Sequence, residues 1–346
     1  MPNRRSRPSN RAVVKQNIRS IAVLGAGSWG TALAILLARN GIEVNLWGHD
    51  EEILVLQQQR ENSHFLPGIP FPDKLQPQPS LQKAIDASDE ILIVVPSHAF
   101  RSVLNQIAEI CTPKSICWAT KGFDPQSRRP LSLVARDIFP RAELAVLSGP
   151  TFAVEVAQGQ PTAITVAATS ELYAERLATA LQSDSFRAYT GDDLIGVQVG
   201  GAIKNIMAIA AGLSDGLGFG ANARAALITR GLAEITRIGK ALGAHTNTFM
   251  GLTGLGDLTL TCTDDKSRNR RLGLALARGL KVEQAREEIG QEVEGVHAAK
   301  ETWLMAQELG VDMPITHQVY RILYEDLDPK LAVKELLHRR QKAEPE

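Results

Sequence analysis

A glycine-rich turn near the start of the chain constrains its fold more than any other feature. The sequence GAGSWG occupies residues 25–30 and follows a short apolar run at residues 21–24 that is typical of a buried strand. A helical pattern covers residues 28–40, and a second strand-like run follows at residues 43–47. Strand, glycine turn, helix and strand in this order predict a βαβ unit.

The glycines of this turn have separate roles in a dinucleotide-binding motif. Gly25 can make the tight turn, Gly27 lets the backbone approach a pyrophosphate, and Gly30 lets the helix pack on the strand. The N-terminus of the helix adds backbone N–H donors and the positive end of its dipole. The flanking strand and helix favour this motif over a plain glycine turn, so the three glycines are predicted to bind a cofactor.

The rest of the chain predicts two domains, since 346 residues exceed what one ordinary core serves. Further apolar runs predict a parallel sheet buried on both faces, and they lie at residues 90–95, 116–119, 144–147 and 163–167. Beyond Tyr189 no strand-like run appears, and long stretches have helical spacing. The predicted fold class is an α/β N-terminal Rossmann-type domain with a predominantly parallel sheet, plus an all-α C-terminal domain. The predicted boundaries are a flexible basic tail at 1–18, a dinucleotide-binding domain at 19–192 and a helical substrate domain at 193–340.

The composition argues against several classes of function. Basic and acidic side chains balance at 38 each, so no overall field attracts nucleic acid or a membrane surface. The three cysteines form no CxxC pair, which fits a reducing compartment without disulfides or a thiolate zinc site. We therefore expect a cytoplasmic protein with no metal and no nucleic-acid partner.

Two segments raise the question of membrane insertion or import. Residues 194–214 are about as long as the roughly 20 apolar residues of a membrane span. This run relies on Gly and Ala and contains Gln198, Lys204 and Asn205, so a buried, closely packed helix is the preferred interpretation. The first 42 residues contain no Asp or Glu, and their Arg-rich start fits either an organellar transit peptide or, preferably, a short solvated tail.

A single lysine interrupts the apolar run. Lys204 is the only ionisable residue between Asp193 and Asp215. Small residues flank it on one helical face and leave a groove for a ligand or for another backbone, namely Gly200, Gly201, Ala208 and Ala211. Burial would lower its pKa from about 10.4 toward the working pH, as a general base requires, unless its head reaches water. Asp257, between apolar residues, is a candidate partner that would raise the pKa again.

Three segments that follow predicted strands are expected to face one crevice. They are VVPSHAF at 94–100, WATKG at 118–122 and SGPTF at 148–152. Ligands of open parallel sheets bind outside the carboxyl ends of the strands. Lys121 is therefore either a site residue or an ordinary solvated loop lysine.

A phosphate site is predicted where SRNRR begins a helix. Ser267 can cap that helix, and Arg268 and Asn269 occupy its first turn, where cations are unfavourable unless an anion is bound. The planar fork of Arg suits phosphate. Alternatively, Asp264 and Asp265 pair with these arginines on the surface.

The second strand lacks the usual acidic residue that binds the ribose. It reads VNLWGHD, with His49 where Asp or Glu is expected. A residue of this type tolerates a 2′-phosphate, so NAD(H) and NADP(H) are both expected cofactors. His49 is either a cofactor contact or a surface histidine.

In order along the chain, these motifs resemble those of bacterial NAD(P)-dependent glycerol-3-phosphate dehydrogenase. The matching segments cover nearly everything except the tail, and they are GAGSWGTALA, VVPSHAF, WATKG, SGPTFA, GGAIKN, SDGLGFGANARAALITRG, GLTGLGDLTLTCT, SRNRR and VEG. The resemblance implies reversible reduction of dihydroxyacetone phosphate to sn-glycerol 3-phosphate by hydride transfer, which supplies glycerophospholipid synthesis. It also implies a homodimer without integral membrane association.

The resemblance further implies roles for individual residues. Lys204 is the implied proton acceptor, and Asp257 is the second catalytic candidate. Implied substrate contacts are Lys121, Gly149, Thr151, Lys204, Asp257, Ser267, Arg268 and Asn269. Cofactor contacts are expected at Gly25, Gly27, Ser28, Trp29, Gly30, His49, Lys121, Ala153, Arg268, Glu292 and Glu294. Glu292 departs from the pattern, since some relatives have Val there.

Two other functions stay open from the sequence. One is a dehydrogenase of the same architecture that acts on a different hydroxy acid or phosphate; SRNRR favours a phosphorylated substrate. The other is a dinucleotide-sensing binding protein with vestigial catalytic groups. The presence of Lys204, Asp257 and Arg268 disfavours that second interpretation.

Overall fold

In a computed structural model of the chain, which describes residues 17–48 and 50–338, eight strands form one sheet. The strands are β1 (Ser20–Leu24), β2 (Glu43–Trp47), β3 (Leu75–Gln78), β4 (Glu90–Ile93), β5 (Ser115–Trp118), β6 (Glu143–Ser148), β7 (Thr162–Ala168) and β8 (Phe186–Gly191). Their spatial order is β3-β2-β1-β4-β5-β6-β7-β8, and only β6 and β7 pair antiparallel. The predicted α/β class with a predominantly parallel sheet is confirmed.

Helices fill the connections of the sheet and form the rest of the described chain. Those of the sheet region are α1 (Ser28–Arg39), α2 (Asp50–Gln59), α3 (Leu81–Asp86), α4 (Ser97–Ile110), α5 (Leu131–Ile138), α6 (Ala153–Ala157) and α7 (Glu171–Leu181). Those that follow are α8 (Leu194–Gly216), α9 (Ala221–Ala241), α10 (Asp257–Thr263), α11 (Arg268–Ala277), α12 (Val282–Ile289), α13 (Glu294–Leu309), α14 (Pro314–Tyr324) and α15 (Pro329–Leu337). The predicted all-helical C-terminal part is confirmed.

Both faces of the sheet are covered, as the apolar runs predict. In β1, Ile21 and Val23 enter a core shared with α1 and α7, whereas Ala22 and Leu24 enter a second core shared with α4 and α5. Successive residues of a strand point to opposite faces, so a strand covered on both sides must be apolar throughout.

The two edge strands escape prediction from the sequence. β3 alternates buried and partly exposed residues and contains Pro77, while β8 is mostly exposed after Phe186. An edge strand has fewer neighbours to bury it, so it does not need a continuous apolar run. β8 also continues to Gly191, two residues beyond Tyr189, where the sequence predicts strand-like patterns to end.

α8 is the central helix of the C-terminal part. Every residue from 196 to 214 is buried, and α9, α10, α11 and α13 pack around the helix. Among the described residues it is the one helix long and apolar enough to cross a membrane, but 89% of that apolar stretch is buried inside the protein. The prediction of a buried, closely packed helix is confirmed.

The connection between the two parts is short. β8 ends at Gly191 and α8 begins at Leu194, so the predicted boundary between residues 192 and 193 falls between these elements. The carboxylate of Asp193 caps α8 and accepts a hydrogen bond of 2.8 Å from the Gly196 amide. Ile18, which the sequence assigns to the tail, is buried, and residues 1–16 of that tail lie outside the described residues.

Candidate active site

A cleft of about 1180 Å³ lies between the carboxyl ends of the strands and the helical part. Many residues predicted for the site line it, namely Gly25, Gly27, Ser28, Trp29, Gly30, Lys121, Thr151, Ala153, Lys204, Ser267, Arg268, Asn269, Glu292 and Glu294. Gly149 and Asp257 do not contribute to this lining, and His49 lies outside the described residues. One cleft therefore brings together segments more than 260 residues apart in sequence (25 and 294).

The glycine turn has the shape that a pyrophosphate requires. Gly25 has a φ of +122°, and a Cβ on Gly30 would lie 1.9 Å from the Gly25 carbonyl oxygen. A Cβ on Gly27 would meet nothing within 4 Å, so the backbone there is open. No side chain caps the N-terminus of α1, which leaves its first N–H groups for an anion. These residues fit a dinucleotide.

The side chain of Asn62 supports the glycine turn, although Asn62 belongs to no motif that the sequence analysis identifies. Its side chain is 2% exposed, and its Nδ2 donates to the Ala26 carbonyl and to Thr31 Oγ1, both at 2.9 Å. On the cleft side, the Trp29 indole N–H is buried without a hydrogen-bond partner among the described residues. A buried donor of this kind suits a bound nucleotide, because unpaired buried donors are costly.

Three charged side chains meet beside the cleft. Asp257 is fully buried; its Oδ1 accepts a hydrogen bond from Lys204 and its Oδ2 accepts one of 2.8 Å from Lys121. Thr261 Oγ1 accepts from Lys204 Nζ at 3.0 Å and donates to the Asp257 main-chain oxygen at 2.6 Å. Lys121 is therefore no ordinary solvated lysine, and Asp257 lies behind both ammonium groups.

The sequence leaves open whether burial or Asp257 dominates the pKa of Lys204, and this arrangement shows that burial dominates. Burial lowers the pKa of Lys204 to about 7, against the opposing charge of Asp257 and with the help of the Lys121 charge. The sequence indicates burial and Asp257 as influences on this pKa, but it does not indicate the charge of Lys121. A lysine with this pKa is available in both protonation states near neutral pH, as general acid–base chemistry requires.

The glycines beside Lys204 receive other parts of the protein. A Cβ on Gly200 would lie 2.4 Å from the Thr253 carbonyl oxygen, so this position accommodates a backbone rather than a ligand. A Cβ on Gly201 would lie 2.8 Å from Ser148 Oγ and 3.6 Å from the Lys121 stem. Of the two alternatives that the sequence leaves open for this groove, a ligand or another backbone, the backbone is found at Gly200, where the close approach seats the turn before Asp257 against α8.

The start of α11 forms another wall of the cleft. Ser267 caps this helix, as predicted, and its Oγ accepts from the Arg270 amide at 3.2 Å. Asp265 pairs with Arg270 at 2.8 Å, so the alternative of aspartate–arginine pairing applies to Arg270, although this arginine is buried rather than on the surface. The Arg268 guanidinium makes no hydrogen bond or ion pair within the described part of the chain, and its pKa is lowered by burial. Such a group is suited to bind an anionic ligand.

Two acidic residues line the cleft near Arg268. Burial raises the pKa of Glu294 to about 7, with Glu292 adding to the rise and Arg268 opposing it. Ser97 Oγ donates to Glu294 at 3.4 Å. The Glu292 carboxylate, at the position that departs from the resemblance, lies 3.8 Å from the Arg286 guanidinium and 3.6 Å from His297.

The close packing of three helices fixes the relative positions of these groups. A Cβ on Gly212 of α8 would lie 2.0 Å from the Arg270 carbonyl oxygen, and one on Gly273 of α11 would lie 2.1 Å from that of Ile209. The Gly295 amide at the start of α13 donates to Asn269 Oδ1 at 2.9 Å. Taken with the Rossmann-type sheet, this cleft defines a class of protein: a nicotinamide-nucleotide-dependent dehydrogenase with a buried lysine–aspartate pair in its helical part.

Two family models match the chain in the same order as its two parts. Residues 20–174 match the NAD-dependent glycerol-3-phosphate dehydrogenase N-terminus, and residues 193–334 match the C-terminus of that family. The chain belongs to the NAD-dependent glycerol-3-phosphate dehydrogenase family.

Individual relatives agree with the family models. The chain is 56% identical over 333 residues to the glycerol-3-phosphate dehydrogenase [NAD(P)+] of Shewanella halifaxensis, covering 95% of this chain and 98% of the relative. It is 55% identical over 329 residues to the Vibrio campbellii protein of the same name, covering 94% and 95%. The crystal structure of glycerol-3-phosphate dehydrogenase from Coxiella burnetii is similar with a TM-score of 0.91 and 46% identity, covering 93% and 99%.

Proposed function

We propose that this chain catalyses the reversible NAD(P)-dependent reduction of dihydroxyacetone phosphate to sn-glycerol 3-phosphate, and thereby supplies glycerophospholipid synthesis. The observation that carries the proposal is the buried Lys204–Asp257 pair, whose lysine lines the same cleft as Arg268, a residue without a hydrogen-bond or ion-pair partner among the described residues. Membership of the family and the names of its relatives support the same reaction.

The substrate phosphate is bound at the start of α11. Arg268 offers a planar pair of donors that make no hydrogen bond or ion pair among the described residues, and the free N–H groups at the helix N-terminus add to them. Ser267 and Asn269 complete this site. Asn269 is already oriented by the Gly295 amide, so its side chain is held in place before substrate binds.

The nicotinamide nucleotide binds along the glycine turn. The open backbone at Gly27 and the first turn of α1 take its pyrophosphate, and the Trp29 indole offers a further donor. When bound, this cofactor supplies or accepts the hydride. The described residues leave NADH and NADPH both open as cofactors, since His49 lies outside them.

Lys204 moves the proton at the C2 oxygen of the substrate. In oxidation, its neutral amine accepts the hydroxyl proton; in reduction, its ammonium donates a proton to the developing alkoxide. Asp257 and Thr261 hold the amine in position, and the Lys121 charge adds positive potential beside it. The same group therefore serves both directions of the reaction.

The proposed function is tested by steady-state assays of the purified full chain. Dihydroxyacetone phosphate should be turned over with NADH, NADPH or both, whereas unphosphorylated dihydroxyacetone should react poorly. If the protein prefers another hydroxy acid or phosphate as substrate, it is instead a dehydrogenase of the same architecture with a different substrate. Tight binding of NAD(P)H without turnover of any carbonyl compound would favour a dinucleotide-sensing protein.

The pKa of Lys204 predicts opposite pH profiles for the two directions. Oxidation of sn-glycerol 3-phosphate requires the neutral amine, so kcat/KM should rise with pH and level off above about 7. Reduction requires the ammonium, so kcat/KM should fall as pH rises through the same value. Initial rates between about pH 6 and 9 at constant ionic strength give both profiles. Parallel profiles in the two directions would contradict the assignment of Lys204.

Replacement of Arg268 by Ala is expected to weaken substrate binding by about 1.5–3 kcal/mol, the usual value of a hydrogen bond to a charged group. This loss corresponds to a KM for dihydroxyacetone phosphate about 10- to 100-fold higher. Arg278→Ala is the matched control, because Arg278 pairs with Glu288 in a solvent-exposed ion pair at the other end of α11. If Arg268→Ala weakens only cofactor binding, the phosphate assignment is incorrect.

We also propose the domain boundaries, assembly and location that the sequence suggests. The dinucleotide-binding domain spans 19–192 and the helical domain spans 193–340, with a homodimer in the cytoplasm. Limited proteolysis followed by mass spectrometry checks the boundary, and sedimentation equilibrium of the full chain checks the dimer.

A further inference from the structure

Lys266 forms an ion pair between the two sides of the cleft, next to the phosphate site. It immediately precedes the helix cap Ser267 and lines the cleft. Its Nζ donates to Glu155 Oε1 of α6 at 2.8 Å and lies 5.5 Å from the centre of the Phe152 ring. α6 belongs to the sheet region, whereas Lys266 belongs to the helical part, so this pair connects the two sides.

The Lys266 side chain is held at the edge of the cleft, not inside it. It is 50% exposed, and Glu155 does not contribute to the cleft lining, although Phe152 does. A second carboxylate, Asp264 Oδ2, lies 3.7 Å from Nζ. Neighbouring carboxylates therefore hold this ammonium on the Glu155 side while no ligand is present.

We propose that Lys266 is a further substrate-binding residue, and that Glu155 competes with the substrate phosphate for it. Lys266 has a flexible four-carbon stem and begins one residue before Ser267, so its ammonium can turn from α6 toward the start of α11. A phosphate monoester carries about −1.5 to −2 charges near neutral pH, against −1 for a carboxylate, so the phosphate attracts the ammonium more strongly. The inference rests on the proposed phosphorylated substrate.

Under this proposal, removing the charge of Glu155 and removing the charge of Lys266 change the KM for dihydroxyacetone phosphate in opposite directions. Glu155→Gln releases Lys266, so the KM for dihydroxyacetone phosphate should fall about two- to fivefold, the range expected for a partly exposed ion pair. Lys266→Gln removes the cation and should raise this KM about three- to tenfold. If the pair served only to hold the two sides of the cleft together, both variants would change KM in the same direction.

The double variant and a matched pair complete the experiment. Glu155→Gln with Lys266→Gln should behave like Lys266→Gln alone, because Glu155 acts only through Lys266. Glu43→Gln is the control: its ion pair with Lys74 has a length of 3.0 Å and a lysine about as exposed as Lys266, but it lies at the amino-terminal end of β2, away from the cleft. It should leave KM unchanged.

Binding of inorganic phosphate separates this proposal from the proposed function. Isothermal titration at low ionic strength should give the order of affinity Glu155→Gln, wild type, Lys266→Gln, from tightest to weakest, whether or not the chain turns over dihydroxyacetone phosphate. Absent turnover in wild type would overturn the function, and the phosphate order would still decide the role of Lys266. An unchanged or weaker affinity in Glu155→Gln, or no phosphate binding by wild type, would overturn the proposal for Lys266.

Discussion

Replacement of Lys204 by Ala is expected to lower turnover by about 100-fold or more while cofactor affinity stays nearly unchanged. Lys204 is the group that we propose to move the proton at C2, and loss of a general acid–base group typically costs this much. Its side chain contacts Asp257 and Thr261 rather than the glycine turn, so the nucleotide site should be preserved. Turnover is measured in both directions, and NADH affinity is measured by fluorescence titration.

Two further measurements make this result specific. Lys240→Ala removes an exposed lysine from the last turn of α9 and should leave both turnover and affinity unchanged. The pH dependence near 7 should disappear in the residual activity of Lys204→Ala, because the group responsible for it is absent. Near-normal turnover, or an unaltered pH profile, would mean that the proton is carried by another residue.

Replacement of Asp257 by Ala is expected to destabilise the protein by about 3 kcal/mol at pH 7, because removing one partner of a buried ion pair leaves the remaining charge uncompensated. The carboxylate is fully buried and serves two ammonium groups, those of Lys204 and Lys121. Its loss should also lower the pKa of Lys204 below the value of about 7, since the attraction that favours the ammonium is removed.

The sign of the pH dependence distinguishes this cause from simple loss of packing. A neutral Lys204 amine needs no counterion, so the destabilisation of Asp257→Ala relative to wild type should be smaller at pH 9 than at pH 6. Urea unfolding of wild type and Asp257→Ala at pH 6 and pH 9 measures this difference in the free energy of unfolding. Asp137→Ala, which breaks a solvent-exposed pair with Arg129, should change stability by less than about 1 kcal/mol at either pH. An effect of Asp257→Ala that is independent of pH would contradict the electrostatic explanation.

The sequence predicts those parts of the molecule that depend on near neighbours. The strand, glycine turn and helix around Gly25 and the cap at Ser267 each involve residues only a few positions apart, and both occur as predicted. The buried faces of the central strands follow from composition in the same way. The edge strands β3 and β8 do not, because partial exposure removes the apolar signal.

The sequence does not predict the contacts between residues that are far apart along the chain. Lys121 and Asp257 are separated by 136 positions and Lys266 and Glu155 by 111, so no local spacing connects them. Asn62 gives no signal at all, since a single amide in a loop matches no motif. Thr261 is different: it follows Asp257 by four positions on one helix, so it could have been recognised as a neighbour of the carboxylate.

The glycine contacts between α8 and α11 have a consequence for substrate length. Main-chain atoms meet directly at Gly212 and Gly273, so no flexible side chain between the two helices can adjust their separation. Lys204 is carried by one helix and Arg268 by the other, and the span between proton transfer and phosphate binding is therefore built into the backbone. If Lys204 and Arg268 act as proposed, we expect the protein to favour substrates whose phosphate lies at one distance from the reacting carbon and to react poorly with longer or shorter chains.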